Sequence, residues 1–293
     1  MAESFEDYRS YLFAIAYRML GSAMDAEDMV QETYLRFQAT SPETQASIVS
    51  LKGYLTTIIT RLCVNQLHSA HRKREQYPGP WLPEPISAGR APESALSANP
   101  EERMELYESL SLAFLVLLEE LQPLERAVFL LRDVFDYQYG EIAGFLGKSE
   151  VACRQAFSRA KKHLADRRPR FTPSPKTQRQ MLTSFLHAVQ GGDMDDLMTM
   201  LADDVTLWAD GGGKVRGAPT RSVAGRSAVA RLCVGTLRFL PAGSTSAIAE
   251  INGQPAVVIR AGGHAVSVVA IEVARQRISA VRVIANPDKL GWV

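Results

Sequence analysis

Residues 78–100 carry six prolines, and no other feature limits the fold as strongly. Proline fixes φ and donates no backbone hydrogen bond, so neither a helix interior nor a central strand can run through this stretch. Arg168-Pro-Arg-Phe-Thr-Pro-Ser-Pro175 is a second interruption of the same kind. Two boundaries suit 293 residues, a length that predicts two or three domains. Up to 168 the apolar residues keep helical spacing. Phe5, Tyr8, Leu12, Ile15 and Met19 step by three and four along one face, and Gly21 and Ser22 end that helix. A second helix is predicted from Asp25, with Val30, Thr33, Tyr34 and Phe37 inward, followed by a loop over 40–47. Leu51, Leu55, Ile58 and Leu62 mark a third, running on through Asn65–Arg74. Helices are expected again over 101–121 and after Pro123, which suits a first helical turn.

Beyond 176 the pattern changes. Helices at 177–190 and 193–201, a strand at Val205–Ala209 and a helix at 226–239 precede β-rich runs at 246–251, 255–260, 265–273 and 277–285. Helices first and strands last predict a multidomain chain, two all-α domains and then an α+β domain. The expected segments are 1–77, a linker over 78–100, 101–169 and 177–293.

The linker poses a problem. Residues 77–86 read YPGPWLPEPI, which places Trp81 between Pro80 and Leu82, with Ile86 just beyond. A stiff spacer should be polar and solvated. Burying an indole contributes on the order of several kcal/mol before entropy losses, so Trp81 and Leu82 call for a surface to cover them. Local packing on the N-terminal helices and docking on the C-terminal domain are equally open at this level.

Charge is unevenly spread. A net charge of +1 hides seven acids against three arginines in residues 1–40, and eight Lys/Arg against Glu150 and Asp166 in residues 148–170. Cys63, Cys153 and Cys233 are far apart and odd in number, which argues against a disulfide framework or a metal site and fits a reducing cytoplasm. The opening MAESFEDYRS has neither the basic start nor the apolar core of a signal peptide, and no apolar run reaches membrane-spanning length.

The sharpest local signal is Tyr139-Gly-Glu-Ile-Ala-Gly-Phe-Leu-Gly-Lys-Ser149 followed by a basic helix. Ile142, Phe145 and Leu146 give the first helix an apolar side, Gly147 permits a tight turn and Ser149 caps the next helix. In that second helix Cys153, Phe157, Ala160 and Leu164 should face inward. Arg154, Gln155, Ser158, Arg159, Lys161 and Lys162 are left outward, and Arg and Gln can read base edges in a major groove. Lys161 and Lys162 suit phosphates. A solvated charged face is the plainer alternative, but the charge excess favours DNA.

In the N-terminal module, Asp25, Glu27 and Asp28 open a helix whose dipole favours acids there. Glu32 lies beyond dipole reach and hints at a docking surface for a basic partner. Arg61, Asn65, Gln66 and His68, then His71-Arg-Lys-Arg74, give the third helix a basic, hydrogen-bonding end suited to nucleic acid.

Taken in order, DAEDMVQETYLRF, LKGYLTTIITRLCVNQLHSAHRKRE and LQPLERAVFLLRDVFDYQYGEIAGFLGKSEVACRQAFSRAKKHL resemble the σ2 and σ4 domains of a bacterial extracytoplasmic-function (ECF) sigma factor. The resemblance implies a core-polymerase contact at Asp25, Glu27, Asp28, Gln31 and Glu32, on the β′ clamp helices. It implies −10 contacts at Arg61, Asn65, His68, Arg72, Lys73 and Arg74, with Asn65 in place of the Asp common in relatives. The helix at 150–164 would read the −35 element. Within that class GPWLPEP (79–85), DGGGK (210–214) and NPDKL (286–290) resemble the ECF41 group, which carries a fused SnoaL-like domain of the NTF2-like cone fold.

The implied partners are core RNA polymerase (β′ clamp helices and β flap) and promoter DNA, with no cofactor, no membrane and a monomer when free. The three motifs form one expected regulatory contact. Trp81, Leu82 and Pro83 would dock beside a mobile Asp210-Gly211-Gly212-Gly213-Lys214 loop and Asn286-Pro287-Asp288-Lys289-Leu290. DGGGK also reads as a simple glycine-rich turn. The cone domain would then regulate in cis, in place of an anti-sigma factor. The rival reading is a DNA-binding regulator whose cone pocket senses an unidentified small ligand or acts as an isomerase or cyclase, with His264, Asp210 and Trp208 as candidates. A lone Asp and a lone His give no acid–base spacing, and His264 sits in an expected turn, so no enzyme is expected.

Overall fold

The computed structural model describes residues 4–90, 110–165 and 174–293, with backbone alone over 70–75 and at 175. The expected helix start at 101–109, the linker half at 91–100 and most of the second boundary, 166–173, lie outside the described residues. The described residues divide into two compact units. One holds 4–75, 110 and 114–165, and the other 76–90, 111–113 and 174–293.

The first unit is helical: α1 (Phe5–Leu20), α2 (Ala23–Gln38), α3 (Pro42–Ala46), α4 (Leu51–Glu75), most of α5 (Leu112–Leu118), α6 (Pro123–Phe129), α7 (Tyr139–Leu146) and α8 (Glu150–Ala165). Local chemistry sets the ends. Gly21 closes α1 in the left-handed region at φ 68° and takes the Tyr17 carbonyl. Ser22 caps α2 by accepting from the Asp25 amide. Pro123 occupies the first turn of α6, which widens into a π-helical turn over Leu130–Val134. The short α3 falls where a loop was expected. Ser41 caps it and Pro42 starts it, a signal shorter than apolar periodicity can register.

Helix α1 departs most from its sequence pattern. One apolar face was expected, yet everything from Leu12 to Leu20 is buried, including Arg18 at 0 % exposure. The helices after Pro123 close over its far side. Arg126, also inside, donates to the Met19 carbonyl at 2.6 Å and the Leu118 carbonyl at 2.7 Å, and pairs with Glu119 at 2.7 Å. Burial draws its pKa down to about 9, so the guanidinium stays charged at neutral pH. Nearby, the Tyr137 and Tyr11 hydroxyls meet at 2.6 Å and Thr56 lies 3.2 Å from Tyr137. The N-terminal helices and the helix-turn-helix are therefore one packed body.

The second unit holds α9 (Pro175–Gly191), α10 (Met194–Met200), β1 (Leu201–Asp210), β2 (Val223–Ala224), α11 (Arg226–Thr236), β3 (Thr245–Ile251), β4 (Gln254–Ala261), β5 (His264–Ala274) and β6 (Arg277–Ile284). One six-stranded sheet runs β2-β1-β6-β5-β4-β3, parallel between β1 and β6 and antiparallel elsewhere. Leu182, Phe185, Val205, Leu207, Val229, Val257, Ile271 and Val281 form the core between helices and sheet. This is the expected α+β domain. The parallel β1–β6 pair sets Asp210 beside Ile284, so the strand ends that carry DGGGK and NPDKL lie side by side.

Two substitutions probe the joint inside the helical unit. Arg126→Leu removes the guanidinium that bonds the Met19 and Leu118 carbonyls and pairs with Glu119, and is expected to cost about 3–5 kcal/mol of unfolding free energy. Tyr137→Phe leaves two hydroxyls without their shared partner and is expected to cost about 1–2 kcal/mol. Urea denaturation of the full chain measures both, and Arg126→Leu at parental stability would contradict the joint.

Candidate functional site

Asp210 ends β1 at 0 % exposure and is the centre of a buried polar node. Its carboxylate accepts from the Tyr77 hydroxyl at 2.5 Å, the Leu82 amide at 2.8 Å, the Gly212 amide at 3.2 Å and Lys289 Nζ at 2.7 Å. Its carbonyl accepts from the Ala285 and Asn286 amides at 2.8 and 2.9 Å. Lys289, 6 % exposed, also donates to the Leu82 carbonyl at 2.5 Å. Its ammonium stands 4.0 Å from the centre of the Trp81 ring and 5.1 Å from that of Tyr77. A buried ammonium needs such partners, because desolvation otherwise exceeds any Coulombic gain. Asn286 Nδ2 donates to the Tyr77 oxygen at 2.8 Å, while Asn286 Oδ1 accepts from the Asp288 amide and shapes the turn Pro287–Lys289. Burial and the adjacent Asp210 carboxylate push the Tyr77 phenol up, so it remains a neutral donor.

The segment after Trp81 is seated in the same way. The Ile86 amide donates to Asn252 Oδ1 at 3.0 Å, the Asn252 amide returns to the Ile86 carbonyl at 2.9 Å, and Ser87 bridges Ile251. Leu82, Pro83, Glu84, Pro85 and Ile86 are all buried. The first half of the proline-rich stretch thus packs as part of the C-terminal unit, and Trp81 lies on that unit's Lys289.

The DGGGK loop, expected to be mobile, is packed. Gly212 has φ +59°, and a Cβ there would lie 2.6 Å from Asn286 Cγ. Gly213 has φ +71°, with Pro78 Cγ 2.9 Å from where its Cβ would be. Only glycine permits both the backbone and the approach. Lys214 pairs with Asp288 at the exposed rim. Proximity thus unites all three motifs, and adds Tyr77 and Asn252. Tyr77 was missed because it precedes the motif; its one signal was an aromatic adjoining the first proline. Asn252, at φ 52° in a two-residue turn, reads in sequence as turn chemistry alone.

On α8, Arg154, Gln155, Ser158, Arg159, Lys161 and Lys162 are all exposed. The inward side is Cys153, Ala156, Ala160 and Leu164. Phe157, expected in the core, is only half-buried between Phe129 and Tyr139, each 6.0 Å away between ring centres, and Ala156 takes the inner position. Burial raises the Cys153 thiol, which makes it inert. Arg154 bonds Glu150 at 2.9 Å and stands over Tyr139, and Arg159 bonds buried Glu125 at 2.7 Å.

Helix α4 presents Asn65 and His68 to solvent. Arg61 is engaged: it donates to the Phe145 carbonyl at 2.7 Å and the Gly144 carbonyl at 3.1 Å, covering the C-terminal end of α7. The side chains of Arg72, Lys73 and Arg74 lie outside the described residues. On α2, Asp28 and Gln31 are exposed, Glu27 pairs with Arg9 at 2.7 Å, Glu32 pairs with Arg36 at 2.8 Å, and Asp25 sits in the capped first turn. The residues of the enzyme reading do not converge. His264 is exposed at the start of β5, Asp210 is consumed by the node, and Trp208 faces Arg282 at 5.3 Å. Among the described residues no helix is long and apolar enough to cross a membrane.

Comparison with known proteins agrees with the fold. Residues 4–73 match the family model Sigma-70 region 2, and residues 111–164 match Sigma-70, region 4. The chain is 35% identical to the ECF RNA polymerase sigma factor SigJ of Mycobacterium tuberculosis, over 97% of this chain and 91% of that protein. It is 30% identical to the probable ECF sigma factor SigI of the same species, over 97% and 92%. A crystal structure of M. tuberculosis SigJ superposes with a TM-score of 0.72 at 32% identity, covering 97% of this chain and 96% of that one, so the likeness extends through the α+β unit. The relatives are transcription initiation factors and not enzymes, and the chain belongs to the ECF RNA polymerase sigma factors.

Proposed function

We propose that this sigma factor carries its own regulator, and that the node at Asp210 is the latch through which the C-terminal domain acts in cis. On this reading the chain works in the cytoplasm on core polymerase and promoter DNA. Asp25, Glu27, Asp28, Gln31 and Glu32 dock on the β′ clamp helices, and the helix-turn-helix module meets the β flap. Arg61, Asn65, His68, Arg72, Lys73 and Arg74 address the −10 element, and the outer face of α8 addresses the −35 element. The exposure of Asp28, Gln31 and all six α8 residues supports those assignments.

The observation that carries the regulatory reading is the anchoring of 76–90. The two recognition surfaces lie on α4 and α8, either side of this segment in the chain. Promoter elements centred near −10 and −35 are 25 steps apart, about 85 Å at ~3.4 Å per step. The anchored segment corresponds to about 50 Å of extended chain at ~3.3 Å per residue. Withholding that length limits how far the recognition surfaces can separate. Arg61 fits the same reading, since carbonyls of the helix-turn-helix occupy the guanidinium that would otherwise meet DNA. Opening therefore has two steps, release of the connector and release of Arg61.

In vitro transcription with core polymerase tests this. Lys289→Met and Asp210→Asn each unbalance the node and are expected to raise promoter-specific transcript several-fold while the chain stays folded by circular dichroism. If both folded variants transcribe at the parental level, the node is no latch. Charge reversal at Asp28 and Glu32 is expected to lower core-polymerase affinity at least tenfold in a competition assay. Unchanged affinity would remove α2 from the docking surface.

A further inference from the structure

Residues 211–249 contain Lys214, Arg216, Arg221, Arg226, Arg231 and Arg238 and no Asp or Glu. Two of the six are neutralised from outside the segment, Lys214 by Asp288 and Arg226 by Asp203. Arg216, Arg221, Arg231 and Arg238 are exposed and have no ion pair among the described residues. Two of them meet at one aromatic ring. The Arg238 and Arg216 guanidinium carbons lie 4.8 and 5.7 Å from the centre of Phe239, itself 37% exposed. The charges thus stand no more than about 10.5 Å apart. Gly217 presses the loop against that ring: at φ +89°, its Cβ would lie 2.9 Å from Phe239 Cε2.

Each guanidinium gains cation–π attraction from the ring, but that does not account for gathering two unpaired cations on it. Like charges gathered at one ring repel, and a surface serving solubility intersperses both signs. The guanidinium carries donors in a planar fork suited to phosphate oxygens. An exposed ring among cations is also the surface on which unpaired bases stack. We infer that the Arg216–Phe239–Arg238 surface of the C-terminal domain is a second, sequence-independent contact for the phosphodiester backbone of DNA, separate from the recognition helix α8. This goes beyond the sigma-factor reading, which assigns DNA contact to the helical modules alone. It makes the cone domain a contributor to promoter affinity as well as the holder of the connector.

Fluorescence anisotropy of the full chain tests the inference with a labelled 30-bp duplex of unrelated sequence and a 30-nucleotide single strand, across a salt series. The double variant R216E/R238E is expected to bind both about tenfold more weakly at 0.1 M salt. For the duplex, its plot of log affinity against log salt should flatten by about 1.8, two phosphate contacts at ~0.9 each. R216K/R238K should stay within about twofold, and R179E/R275E, exposed arginines with the same change in net charge, should do likewise. The inference is overturned if R216E/R238E binds like the parent or keeps its salt slope, or if R179E/R275E loses as much. It is also overturned if the parent leaves unrelated DNA unbound at 50 mM salt. Loss of polymerase affinity with DNA binding intact would instead assign the patch to an acidic protein surface.

Discussion

The pairing of Lys289 with Asp210 is the constraint on which the C-terminal unit depends. Both side chains are withdrawn from water, and a buried ion pair persists only if the remaining lone pairs and protons are also met. Here the partners come from three stretches far apart in the chain: Tyr77 and Leu82, then Gly212, then Asn286 beside Lys289 itself. The ammonium further rests on the Trp81 ring. The indole in a proline-rich connector is thereby explained. It covers a charge, and its polarizable face does so better than an aliphatic side chain could.

Proline suits this burial for a related reason. A buried backbone amide must be hydrogen-bonded, and Pro83 and Pro85 have none to satisfy. The amides of Leu82 and Ile86 go to Asp210 and Asn252. A rigid segment with few donors can lie in an interior that a flexible linker would leave. The same residues that exclude helix and strand therefore permit tight docking.

The helical unit is joined by arginines used in a similar way. Arg126 reaches the Met19 carbonyl near the end of α1, and Arg61 reaches the carbonyls at the end of α7. Helix C-termini leave carbonyls without intrahelical partners, and a guanidinium from another helix meets them across the joint. Arg126 is enclosed and belongs to the core. Arg61 is exposed and half-committed, which suits a residue with a second partner to find. The outer face of α8 keeps its cations at the surface, where neighbouring acids such as Glu125 and Glu150 hold two of them in place.

Sequence alone set out the helix-to-strand order, the helix-turn-helix with its Gly147 turn, and the outward set on α8, because these follow from local periodicity and caps within one element. It also marked the three motifs as belonging together, through family resemblance rather than chemistry. Packing established that Tyr77 and Asn252 join them, that the DGGGK loop is packed, that α1 is enclosed from Leu12 to Leu20, and that Arg61 is engaged. Each of these depends on which distant backbone carbonyl, amide or ring a side chain meets. Such partners are brought close by strand pairing such as β1 against β6 and by helix packing, and spacing along the chain carries no record of them.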